Sequence, residues 1–187
     1  MSRTPLAIAA CVLGALLSTV PAARAQVETL TASATLTTAG GASATAPLTV
    51  VIDRFATDAE RDELMAAVTK GGTGAAKALL VTRRDAGSVQ LGARRTPIKY
   101  AYARAVGDGQ LVTVVTAEPI AFVGAGLPDA PPKAGYDLGL VLLEVAESRA
   151  GQGELVPAAK VRVSEHGAIV TEDYGSEVVR LSGVVKK

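Results

Sequence analysis

The chain has 187 residues, 19 basic and 18 acidic side chains, a single Cys and a single His, and its aromatic residues are four Tyr and two Phe with no Trp. A near-neutral charge excludes a phosphate-tracking surface, and the scarcity of rings argues against a base-stacking platform, so nucleic acid is not an expected partner. One Cys and one His also fall short of a zinc ligand set and leave no pair for an intrachain disulfide.

The first residues read as an export signal. Arg3 supplies a positive start, Leu6–Val20 is almost wholly apolar, Pro21 breaks the run, and Ala23-Arg24-Ala25 has the small–x–small form that a signal peptidase cuts. The run of about 15 residues is shorter than the roughly 20 that a membrane span needs. The expectation is a cleaved leader over 1–25 and a single β-rich domain over 26–187, exported from a bacterial cell to the periplasm or beyond, with no transmembrane segment after cleavage. Ile8-Ala9-Ala10-Cys11 loosely resembles a lipobox, and acylation at Cys11 is the alternative. Losing Arg3 and Arg24 leaves 17 basic residues against 18 acidic ones. A domain of about 160 residues buries enough apolar surface to fold without staples.

Val27–Thr38 alternates, with Leu30, Ala32, Ala34 and Leu36 on one side and Thr and Ser residues on the other, as in a half-exposed strand. Gly40-Gly41 turns the chain and Ala46–Asp53 returns, which predicts a hairpin. Thr57–Lys70 is the best helix. Thr57 and Glu60 form a capping box, and Asp58, Glu60, Asp62 and Glu63 crowd the first turns, where carboxylates complement the dipole. Leu64, Met65 and Val68 give an apolar edge, and Gly71-Gly72 stops the helix before a second short one over Gly74–Val81.

From Ser88 onward the pattern is strand. Ser88–Ala93 and Thr96–Val106 come first, with Ile98, Tyr100, Tyr102, Arg104 and Val106 placed on one face. Gly107-Asp108-Gly109 predicts a tight turn that pairs strand 97–106 with strand 110–117. Ile120–Val123 reads as a further strand-like run beyond Pro119, which itself marks an edge or a bulge. A Gly- and Pro-dense loop follows over Gly124–Gly135. Tyr136–Ala146 is apolar on both faces, as in a strand that sits mid-core or has one side against helices. Glu154–Val163, Ala168–Thr171 and Glu177–Val185 complete a meander of about six strands after the helical insert near residues 57–82. The expected class is α+β, predominantly antiparallel β, as one sheet or a partly closed barrel.

No catalytic constellation stands out. His166 lies in a turn beside Gly167, and its sequence neighbours Ser164 and Glu165 point apart rather than converge. Glu144 falls on the face of Leu138, Leu140 and Leu142, near a strand end. Gly72-Thr73-Gly74-Ala75-Ala76-Lys77 lacks the Gly-Lys-Ser/Thr of a phosphate-binding loop, and Gly124-Ala125-Gly126 lacks the third Gly of a dinucleotide site. No cofactor is expected. What remains is a binding surface: Tyr100, Tyr102 and Arg104 share a strand face near Arg94, Arg95 and Lys99. The first expectation is therefore a non-catalytic exported domain working by surface contact, in envelope structure or protein binding. The second is a carrier of a small apolar ligand or lipid inside a sheet cavity, and the third is a hydrolase assembled from distant strands. An enclosed cavity above about 300 Å³ favours the carrier, a filled core favours surface contact, and carboxylates converging in a cleft favour the enzyme.

Overall fold

The computed structural model describes residues 27–38, 40–121, 133–146, 149–174 and 177–187. The expected leader with its cut after Ala25, Cys11, and most of the 124–135 loop lie outside the described residues.

Alternation in the first sixty residues gives β1 (Glu28–Thr37) and β2 (Ser43–Ile52), antiparallel in one unbroken register from Glu28↔Ile52 to Thr37↔Ser43. α1 (Asp58–Thr82) follows, and its capping box is formed as expected: Thr57 Oγ1 accepts from the Glu60 amide, and Glu60 accepts from the Thr57 amide. The two helical pieces are merged across a kink at Gly71 and Gly72; Gly72 adopts φ +61°, a conformation that only glycine takes readily. Thr73 Oγ1 accepts from the Val161 amide, which pins the kink to the sheet.

The remaining strands are β3 (Gly87–Leu91), β4 (Arg94–Ile98), β5 (Tyr100–Val106), β6 (Gly109–Thr116), β7 (Leu138–Ala146), β8 (Gly151–Val163), β9 (Ile169–Tyr174) and β10 (Val179–Lys186). All pairings are antiparallel. Nine strands follow the order β4-β3-β2-β1-β10-β8-β7-β6-β5 in one curled half-barrel sheet, and β9 adds to β8 off this path. This is the α+β, mainly antiparallel architecture that the sequence implies, with eight strands after the helix instead of about six. The two ends of the path are joined through the chain, because only Lys99 separates β4 from β5. The Lys99 amide bonds the Val115 carbonyl on β6, while the Ile98 carbonyl accepts from Ala86. The bend at Lys99 also reverses the side-chain alternation. Ile98 points to the concave core, whereas Tyr100 points to the helix, so the single face expected for Ile98 and Tyr100 is split.

Two cores result. The concave side of the sheet holds Leu30, Leu48, Val50, Ile52, Val89, Ile98, Val112, Val114, Val141, Leu143, Leu155 and Leu181, all buried. Outside it, α1 packs Leu64, Val68, Ala76 and Leu80 on Tyr100, Val115, Leu138, Leu140 and Val156. β7 therefore has core on both faces, as its doubly apolar sequence requires. The strand pattern expected at Ile120–Val123 is not taken up at Ile120 and Ala121: β6 ends at Thr116, and Ile120 is buried with its amide on the Pro157 carbonyl. Val123 and its neighbour Phe122 lie outside the described residues.

Candidate functional site

The concave face of the sheet changes character along its length. At one end the inward side chains Leu36, Ala44 and Val179, paired across β1, β2 and β10, are all buried. Towards the other end three inward files finish in polar residues. On β1 the series Leu36, Ala34, Ala32, Leu30 ends at Glu28; on β6 Val114 and Val112 lead to Gln110; on β10 Val184 leads to Lys186.

These three residues meet. Glu28 is only 7% exposed; its Oε2 accepts from Lys186 Nζ at 2.9 Å and its Oε1 from Gln110 Nε2 at 3.3 Å. β1 and β6 are separated in the sheet by β10, β8 and β7, so the Glu28–Gln110 bond crosses the concave side. A carboxylate inside a sheet is tolerated only when its oxygens are engaged, and here a cation and an amide engage both. The result is a polar bridge that closes off the filled core.

Beyond the bridge lies an open cavity of about 940 Å³. Its apolar lining comes from short side chains, Ala103, Ala105, Ala146 and Ala150, with Gly109, Val145 and Val185. Small residues leave the space that Leu and Val fill deeper in. Strand closeness at this end also depends on glycine: a Cβ on Gly151 would fall 1.8 Å from the Glu144 carbonyl oxygen. Charge enters from Arg104, Arg149 and Lys186, against Asp108 as the one carboxylate among the described lining residues. Since Lys186 is already paired with Glu28, Arg104 and Arg149 supply most of the positive potential. The volume falls within the roughly 300–1,000 Å³ of small-molecule sites.

Of the residues expected to form a binding face, only Arg104 lines this cavity. Tyr100 is 3% exposed beneath α1, with its ring 6.3 Å from that of Tyr102 in a stacked arrangement. Burial raises the Tyr100 phenol well above its ordinary range. The Tyr102 hydroxyl donates to Asp58 Oδ1 at 2.8 Å and accepts from Arg61 Nη1 at 2.7 Å, and the Arg61 guanidinium lies 5.3 Å from the Tyr102 ring centre. These two tyrosines fasten the helix to β5. Lys99, expected beside them, bonds Asp85 and the Arg83 carbonyl.

The acidic first turns of α1 are held by arginines. Glu60 pairs with Arg54, Asp58 and Asp62 with Arg61, and Glu63 with Arg83. The Arg54 hydrogen bond, with the Thr57 amide, holds the Glu60 carboxyl below its usual range. Among the described residues no group of three or more His, Cys, Asp or Glu is placed to hold a metal ion. His166 is exposed in the turn after β8, and Ser164 Oγ is used there, accepting from the Ala168 amide. Lys77 pairs with Asp137, and Glu144 is exposed, accepting from Gln152.

A second polar cluster lies on the helix side. Tyr136 donates its hydroxyl to Asp173 on β9, with Lys160 Nζ 4.7 Å and Lys133 Nζ 5.9 Å from its ring centre. The bond raises the Tyr136 phenol and lowers the Asp173 carboxyl. It ties the segment entering β7 to β9.

Glu28, Gln110, Lys186 and Arg149 were not evident as site residues from sequence. Extending the alternation of Leu30 to Leu36 by one step reaches Glu28, and the same step on β6 reaches Gln110. Lys186 is hidden by the bulge at Gly183, which shifts the register between Ser182 and Val184. Comparison of the chain with protein-family models, with curated proteins and with solved structures finds no match.

Proposed function

We propose that this is an exported, non-catalytic binding protein whose mouth takes a small amphiphilic acid, a carboxylate or phosphate group on a short apolar body. The carrying observation is the cavity itself: about 940 Å³, lined by alanines and valines together with Arg104, Arg149 and Lys186. The second expectation, a carrier, is retained in altered form, since the space it needs opens at the end of the half-barrel and the concave core is filled. Guanidinium groups suit carboxylate and phosphate because they donate bidentately. The Glu28 bridge is a support for Lys186, with both oxygens occupied, which favours binding over acid–base chemistry.

Titration calorimetry with octyl phosphate, against octyl glucoside of the same chain length, tests the reading. The expected result is saturable one-site binding of octyl phosphate, weaker by about tenfold or more for the neutral head and reduced at high salt. Equal affinity for both, or none for either, would contradict it. Native mass spectrometry of protein from an exporting host adds a direct check, since a retained acidic ligand appears as a non-covalent adduct.

Protein binding by surface contact stays as a second reading because of β9. Among the described residues it pairs with β8 alone, leaving an outer edge open to an added strand.

A further inference from the structure

Five large apolar side chains are strongly exposed among the described residues: Val27, Val81, Val106, Tyr174 and Val185. Scattered singly, such residues carry no meaning. Three of the five gather at the mouth. Val27, 60% exposed, immediately precedes Glu28; Val106, 50% exposed, pairs with Gly109 of the cavity lining; and Val185, 43% exposed, lines the cavity beside Lys186. Arg104, Arg149 and Lys186 stand on the same rim, with Lys187 next in the chain and its amide on the Thr29 carbonyl. Among the described residues the opposing charges at this end include Asp108, the already paired Glu28, Asp53, which follows the Ile52 partner of Glu28, and Glu144 on β7, which is exposed and accepts from Gln152.

Exposed valines interleaved with Arg and Lys suit one kind of partner better than others. An aqueous anion has no use for the valines, and among the described residues the rim carries none of the large aromatic anchors typical of protein interfaces. A bilayer surface uses both, with short apolar side chains entering the headgroup boundary and cations meeting anionic lipid. We infer that the mouth docks on an anionic membrane surface, so that the acidic amphiphile enters the cavity from the lipid phase. This rests on the reading of the mouth as an anion site and names the source of the ligand. Among the described residues no helix is long and apolar enough to cross a membrane, so contact through this rim is peripheral.

The test is vesicle flotation of protein recovered from an exporting host. Vesicles of equal parts phosphatidylglycerol and phosphatidylcholine are compared with pure phosphatidylcholine, and octyl phosphate titration is run in parallel. The protein is expected to float with the anionic vesicles at low salt and to remain unbound with the neutral ones. The double variant Val27→Asp/Val106→Asp, neither residue lining the cavity, is expected to lose flotation about tenfold while keeping its circular dichroism and its octyl phosphate affinity. Failure to float when octyl phosphate still binds overturns the docking and leaves the anion site standing. Failure of both removes both. Equal flotation on neutral vesicles, or undiminished flotation of the double variant, also overturns the docking.

Discussion

The body and the mouth of the half-barrel are built on the same strands and differ in what their inward side chains do. In the body, Leu143, Val112, Leu48 and Leu181 interdigitate and are buried. At the mouth β5, β6 and β7 contribute Ala103, Ala105, Gly109 and Ala146, and the space is left open. Side-chain size across the sheet thus separates a filled core from an open space without a change of fold. The Glu28–Lys186–Gln110 bridge marks the boundary, keeping the charged rim from meeting apolar core directly.

If that division holds, a core substitution should damage stability and spare binding. Leu143→Ala is expected to lower unfolding free energy by roughly 2–5 kcal/mol, from lost burial and an unfilled void. Urea denaturation reads the loss, and octyl phosphate affinity of the folded fraction should be unchanged. Gly151→Ala acts on the boundary. Its Cβ meets the Glu144 carbonyl oxygen, so β7 and β8 must part, with an expected loss of about 1–3 kcal/mol or more. Here affinity should fall as well, because Ala146 and Ala150 shift with the strands.

Substitutions at the rim should do the reverse. Arg149→Ala or Arg104→Ala is expected to weaken octyl phosphate binding by roughly tenfold with little change in melting temperature. The α1 layer supplies a control remote from both regions. Glu60→Gln is expected to cost about 1 kcal/mol at neutral pH through the weakened capping box and the lost Arg54 pair. The folded Glu60 carboxyl titrates below its ordinary 4.5, so its contribution is fully present above that value and lost as pH falls through the lower folded one. The stability gap between wild type and Glu60→Gln should therefore be flat from neutral pH to about pH 5 and close at lower pH, with ligand affinity unaffected. The smallest effect is expected from Glu28→Gln. Removing the carboxylate beneath the rim frees Lys186 of its counter-charge, and anion affinity should rise a few-fold.

The sequence carried the body of this molecule more clearly than its mouth. The alternation of β1, the strand-like runs that form β2, β5 and β6, the Gly107-Asp108 turn and the Thr57/Glu60 capping box are local signals, and the structure takes them up. The doubly apolar β7 even foretold a core on each side. What stayed hidden depends on long-range geometry. The bend at Lys99 divides one periodic run into two faces, and nothing in the residue types around it announces the bend. The return of β10 between β1 and β8, and its bulge at Gly183, bring Lys186 to Glu28 across 158 positions of chain. Tyr100, Tyr102 and Arg104 were grouped correctly by alternation, but α1 covers the two tyrosines while Arg104 reaches the cavity beyond the end of the helix layer. Periodicity gives a face and leaves open what covers it.

The most direct test of binding at the mouth is an octyl phosphate titration of isotope-labelled protein followed by amide and methyl resonances. The expected result is saturable shifts confined to 103–110, 145–146, 149–150 and 185–187, with the methyl signals of Leu48, Val114 and Leu143 unmoved. Shifts centred on those core methyls, or on β9, would contradict the account.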